Sequence, residues 1–534
     1  MNKRLYTNGT VVTMEAEGDT HGALAVKGDK ILGVGGIDEM KAMLGKGYTE
    51  VDLGGGTLLP GFVDCHLHVI LSAYFKMNLD LANIKSLDEF LTTVKGEVKA
   101  VPKGKWIMGL RFREDDYPEK RPPTLTELDS VSPENPLVLL RYDGHSAVVN
   151  SQALKEANIT AETPNPEGGV IEKDDGRPTG VLKELAVKLV VSAIPTPEIE
   201  EFRRGHKIFT ELLLSYGVTC VNGIMQTGEE GPSGALGPFE IYIFKLFEED
   251  FPIRNYPMIA APDVPTFTKA LVDNFGGEKT GGRWRGGALK LFLDGTFGSR
   301  TAYFTEDYHD SPGERGMLVQ GIEEIRETIF AAQREGIQVA THAIGDRAVG
   351  ELARIYRDAQ KEVEIGVGKT KLRHRIEHAG MINPEDYKAI KEGGTICSFQ
   401  PSFIASEGSW IETRVGGRLN RVYPIRSILD YGIPVCGGSD SPIEDPSVLT
   451  GIWAAVVREG FTADQALSPY EAVSLYTRMA AYASFEEEVK GTISKGKLAD
   501  FVLLNKNPMD VRPDEIRDIG VRMTIIGGEV AWEG

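Results

Sequence analysis

The chain has 534 residues, 41% hydrophobic and 26% charged, an ordinary globular composition with length for more than one structural unit. A formal net charge of −19 argues against a nucleic-acid surface, because phosphate binding needs a basic field. No apolar run reaches the ~20 residues that span a bilayer, and MNKRLYTNGTVVTM lacks the apolar core of a signal peptide, so the chain reads as cytoplasmic with no membrane partner. Cys65, Cys220, Cys397 and Cys436 are too scattered for a disulfide framework and read as buried thiols.

Residues 1–57 alternate short strands with turns, and residues 480–534 return to that style in GTISKGKLADFVLLN and VRMTIIGGEVAWEG. Two β-rich ends around an α/β middle predict one small β-sandwich assembled from both termini. The middle, residues 58–479, opens on the strand LLPGFVDCHLHV and then carries a long insertion over about 76–200, rich in Pro and charge. Helices at about 198–215, 238–249, 265–275, 322–335, 346–360, 384–392 and 424–431 then lead into strands GVTCVNGI, NYPMIAAP, ALKLFLDG, QVATHAI, LRHRIEH, TICSFQP and IPVCGGSD. With the first strand that makes eight. Such alternation predicts an α/β fold with a parallel sheet. Eight units with polar residues at strand ends favour a closed (β/α)8 TIM-like barrel, with the inserted α+β segment over its mouth.

The polar residues at those strand ends form a set. His66 and His68 are two apart, so a strand sends both imidazoles to one face and Cys65 and Leu67 to the other. Lys290 follows on the fourth strand, His342 on the fifth, His378 on the sixth and Asp440 on the eighth. Imidazole and carboxylate suit zinc and other first-row divalent metals. A lone His-x-His pair is weak evidence; ligand types in strand order are strong evidence for a barrel-top metal site.

The HxH strand, FLDGTFGSRTA, THAIGDRAV, RHRIEHAG, GSDSPIEDP and the terminal GKLADFVLL together resemble the amidohydrolase superfamily. The branch they resemble contains N-substituted formamide deformylase and other metal-dependent hydrolases, and the matching segments cover nearly the whole chain. The resemblance implies the same composite sandwich and barrel, ligands on those same strands, one or two divalent ions, and N6-carboxylysine at Lys290, whose carbamate would bridge two metals. Oligomers are common in the superfamily, and a homodimer is the default expectation. Glu184 of GVLKELA is the alternative bridging carboxylate, and a single-metal site is the third reading.

The expected chemistry is hydrolysis of a non-peptide C–N bond, an amide or N-substituted formamide of a small molecule, by metal-activated hydroxide. Asp440 is the catalytic proton handler, taking a proton as hydroxide attacks and passing it to the leaving amine. Zinc is the first choice on ligand type. Hydrolytic deamination is the rival activity, weakened because THAIGD offers no glutamate and Glu377, next to His378, should face the other side of its strand. A catalytically silent binding or regulatory protein is the reading from another class, weakened because every expected ligand type is present.

His145 in RYDGHSAVVNS is a candidate substrate contact, with a turn built on Asp143 and Gly144 as the rival reading. Asp294 and Arg300 in LDGTFGSR are further substrate-binding candidates, or partners of each other. Trp106, Phe112 and Tyr142 could line an apolar pocket or be core. His374 should share a strand face with His378 but lie deeper, hydrogen-bonding in the core.

Overall fold

Eight parallel strands curl around the centre of the molecule, a computed structural model that describes every residue except 1, 143, 167, 196–198, 229–235, 277–285 and 365–371. They are β1 (Phe62–His68), β2 (Val218–Gln226), β3 (Met258–Ala260), β4 (Ala288–Phe292), β5 (Gln338–Ala343), β6 (Arg375–His378), β7 (Ile396–Phe399) and β8 (Val435–Gly437). Each is paired in parallel with the next. The ring is nearly closed. Past the end of β8, Asp440 N–H donates to His66 O at 2.6 Å, and His68 N–H donates to Ser441 O at 2.8 Å. The segment read as one strand, NYPMIAAP, is two: Arg254–Asn255 pairs with β2 on its own before β3 begins.

The strands form because they are short apolar runs covered on both faces, as parallel sheets require. All seven residues of β1 and all nine of β2 are buried. Amphipathic helices such as Ile199–Ser215, Ile322–Glu335 and Asp346–Glu364 cover the outside. All four cysteines are free and buried.

The chain ends build two further sheets. One joins Lys3–Thr7, Ala23–Lys27, Lys30–Gly35 and Thr49–Asp52; the other joins Thr10–Val12, Thr20–His21 and Thr57–Pro60 to Phe501–Leu504, Val521–Ile526 and Glu529–Glu533. Tyr6, Leu24, Val26 and Ile31 of the first meet Leu58, Phe501, Leu503 and Ile525 of the second in one apolar cluster. Helix Arg478–Ala483, which straddles position 480, packs Ala480 and Ala483 on Val63, Cys65, Cys220, Ile396 and Cys436 of the barrel instead.

Between β1 and β2 lies a six-stranded mixed sheet, running in space from Gly169–Asp174 through Arg177–Glu184, Ser146–Val149, Leu137–Arg141 and Ile107–Phe112 to Leu79–Asp80. It has apolar clusters of its own. Phe112 belongs to one of these and Trp106 packs against the other, so both are core and only Tyr142 of the three aromatics faces the barrel cleft. No helix among the described residues is long and apolar enough to cross a membrane.

Candidate metal centre

The carboxyl ends of the barrel strands surround a cleft of about 790 Å³ lined by His66, His68, Lys290, His342, His378 and Asp440. Leu140, Tyr142, Gly144 and His145 of the inserted segment line it from above. All six barrel residues named from the sequence therefore face one space.

His66, His68 and Asp440 are the tightest group, offering three ligand atoms that all lie within 4.8 Å of one another. His66 Nε2 is 3.2 Å and His68 Nε2 3.4 Å from Asp440 Oδ1. Ligands ~2.1 Å from a tetrahedral ion stand ~3.4 Å apart, and both histidine–carboxylate distances match that spacing, so this donor set could hold a divalent metal. His378 lies beside it, its ring centroid 4.7 Å from that of His66, and His342 is 4.4 Å beyond His378. Nδ1 of His68 and of His378 is buried without a hydrogen-bond partner among the described residues.

Burial holds His342 well below its ordinary value, pushes His378 down to about 3 and lowers His68, so their imidazoles are neutral and keep a lone pair at neutral pH. At His66, burial and Lys290 lower the pKa, but Asp440 and Glu377 outweigh them and raise it. Burial would lift the Asp440 carboxyl, yet His66, His68 and His378 hold it well below the usual range. Burial also pulls Lys290 down to about 8, against Glu377 and Asp440, and it makes no ion pair with a described residue.

A buried support holds His66. Its Nδ1 meets Glu377 Oε2 at 2.5 Å, and Arg375 grips the same carboxylate, with Nε 2.6 Å from Oε1 and an Nη 3.0 Å from Oε2. That fixes the ring with its Nε2 toward Asp440. Asp64 Oδ1 accepts from His66 N–H and Ser439 N–H, each at 3.0 Å, tying β1 to the end of β8. At Gly438 a Cβ would stand 2.6 Å from His66 N, so only glycine permits this approach.

Glu377 corrects the sequence reading. Strict alternation would put it opposite His378, but His378 has φ 70 and Ala379 φ 47, and this left-handed turn brings His378 inward beside Glu377. His374 consequently faces outward, its Nδ1 accepting from Val339 N–H at 3.0 Å and its Nε2 2.6 Å from Gln333 Oε1; the core role stands, the shared face does not. Asp64 was legible by alternation, two residues before His66; Arg375 and Glu377 were marked only as opposite charges two apart in a short strand.

The candidate substrate contacts divide. His145 lines the cleft, with its ring 5.8 Å from His342; Asp143 of the rival turn lies outside the described residues. Glu184 does not line the cleft: one carboxylate oxygen is 2.7 Å from His145 Nδ1 and the other accepts from the Thr301 hydroxyl. Asp294 accepts from the N–H groups of Tyr303, Ile344 and Gly345 at 2.8, 2.9 and 2.8 Å, a loop latch rather than a partner of Arg300. Arg300 pairs with Asp310 at 2.8 Å and lines neither the cleft nor the cavity beside it.

The amidohydrolase sequence profile matches residues 49–531. The chain belongs to the amidohydrolase family. This amidohydrolase is 30% identical to YtcJ of Bacillus subtilis (strain 168), over 99% of each chain. It is 28% identical to N-substituted formamide deformylase of Arthrobacter pascens, over 100% of this chain and 99% of that one. An uncharacterized metal-dependent hydrolase from Pyrococcus horikoshii superposes with a TM-score of 0.74 at 27% identity, covering 96% of this chain and 99% of its own.

Proposed function

We propose that the protein is a metal-dependent hydrolase that cleaves a non-peptide C–N bond, an amide or N-substituted formamide, in a small-molecule substrate. The observation that carries this reading is the single cleft shared by four histidines, Lys290 and Asp440, with ligand atoms of His66, His68 and Asp440 within 4.8 Å of one another. The end-to-end likeness to a formamide deformylase points to the same bond class. His66, His68 and Asp440 would hold one divalent ion, zinc first by ligand type; His342 and His378 would hold a second, bridged by Lys290 as N6-carboxylysine.

An ion bound there supplies Lewis-acid activation of water and of the scissile carbonyl. The side chains around it do the rest. Asp440, ionised and therefore acceptor-only, takes a proton from the attacking water and can return it to the leaving nitrogen as the C–N bond breaks. Glu377 keeps the His66 ring oriented through the reaction. Leu140, Tyr142, Phe403 and Ile443 wall the cleft and keep bulk water from the reacting centre. Deamination would need a carboxylic acid beside the histidines to protonate a ring nitrogen, and the neighbouring Glu377 is already held by Arg375 and His66.

The test is metal content per chain together with amine release from simple amides and N-alkyl formamides. Bound metal, and release that stops with chelator and returns with zinc, is the expected result. Protein that takes up no metal on reconstitution, or releases amine regardless of chelator, overturns the reading.

A further inference from the structure

Beside the reaction cleft lies a second cavity, of about 610 Å³, that shares Gly144, His145 and Phe292 with it. Leu185, Val187 and Val191 of the inserted segment form one wall; Phe292 at the end of β4 and Val319 in the loop beyond it form the other. The carboxylates on its lining are engaged elsewhere: Glu184 with His145 and Thr301, Asp294 with three backbone N–H groups. Among the described residues the remaining side chains of the lining, apart from Lys188, are hydrocarbon, which favours burial of apolar groups and penalises charged ones.

His145 stands where the two spaces meet. Its Nδ1 is held by Glu184 at 2.7 Å, Thr301 holds the other oxygen of Glu184, and Glu184 N–H donates back to His145 O at 2.7 Å. Glu184 takes φ 51, a left-handed conformation costly for a non-glycine residue, at the point where the strand Arg177–Glu184 turns toward the helix Val187–Val191. The inserted segment thus fixes a polar side chain at the junction and an apolar chamber behind it.

We infer that this chamber seats the nitrogen substituent of the substrate, and that the substrate is a formamide whose N-substituent is uncharged, apolar and several carbons long. The inference rests on the hydrolase reading above: in a formamide the acyl side is a hydrogen, so the nitrogen carries the only group large enough to enter. His145 is a positioning residue that meets the amide, while Val187, Val191 and Val319 set the length of substituent accepted.

The experiment uses N-alkyl formamides from methyl to hexyl, measured two ways: calorimetric binding to metal-free protein, and kcat/KM of zinc-loaded protein. In the wild type both rise about fourfold per methylene until the chamber is full. Val191→Trp and Val319→Trp, at half-buried positions, each abolish the preference for hexyl over methyl; two variants guard against one that fails to fold. Binding that does not vary with chain length in the wild type, or a gain that survives both tryptophans, overturns the assignment. Length-dependent binding without turnover of any formamide would leave the chamber standing and remove the hydrolase reading.

Discussion

Replacing Glu377 by Gln tests the support beneath His66. Arg375 and Glu377 are both fully buried, with side-chain exposures of 0% and 0%, and the carboxylate takes two contacts from the guanidinium and one from His66 Nδ1. Glutamine keeps the shape and removes the charge, leaving the Arg375 cation in the barrel without a counter-ion. Its other bonds, to Cys65 O at 2.7 Å and Ser398 Oγ at 3.2 Å, are to neutral acceptors. Breaking one partner of a buried pair costs about 3–5 kcal/mol, on the order of a 5 °C fall in the unfolding midpoint for a unit this large. Losing the carboxylate that orients a ligand histidine should also weaken metal binding about 10- to 100-fold. The variant is read by thermal unfolding of metal-free protein and by competitive zinc titration. Arg375→Met combined with Glu377→Gln removes both charges and should recover most of the stability but none of the metal affinity. A single variant that loses less than about 1 kcal/mol, or a double variant no more stable than it, would refute the buried-pair reasoning.

Asp440→Asn should lower turnover by roughly 10²–10⁴ at saturating zinc, measured as amine release, because it removes the proton acceptor. Arg300→Ala should cost at most about 1 kcal/mol in denaturant titration and leave activity unchanged, since its pair with Asp310 is partly exposed and away from the cleft. His206 packs on Phe247 and Phe251, and burial pushes its pKa from 6.5 down to about 4. A folded value below the unfolded one means the unfolded chain takes up the proton first as pH falls, so this stability is intact above ~6.5 and lost toward pH 4. At pH 5 the loss is about 2 kcal/mol; His206→Leu should remove it, and equal pH dependence of the two proteins would contradict the assignment.

The barrel and the side chains that face its cleft were legible because both obey short-range rules. Apolar strands and amphipathic helices alternate along the chain, and His66 and His68 share a face by the two-residue period of a strand. The same period misplaced Glu377, because the reversal at His378 is a backbone conformation that no residue type in RIEHAG announces. The inserted segment hid more. His145 finds Glu184 39 positions on, and Glu184 finds Thr301 117 positions on, across sheet pairings that no periodicity encodes. Arg300 was drawn to the site by its nearness in sequence to Lys290; ten residues further on, Asp310 takes it away.

Lys290 is the member of the set that could ligate only if its chemistry changed. An ammonium has no lone pair and cannot ligate, yet Lys290 lines the cleft with five other ligand candidates and has no carboxylate paired to it among the described residues. As a carbamate it would turn a cation among neutral imidazoles into the anion that a second metal ion needs. Lys290→Ala should therefore lose one metal per chain while His66, His68 and Asp440 keep the other. It also opens space where acetate or formate can supply the missing carboxylate, so either acid should restore both metal stoichiometry and amine release. Lys290→Met fills that space with hydrocarbon and should resist rescue. If Lys290→Ala holds as much metal as the wild type with no acid added, Lys290 is not a ligand in any form. The bridging reading would then fall, and His66, His68, His342, His378 and Asp440 would have to hold the metal without it.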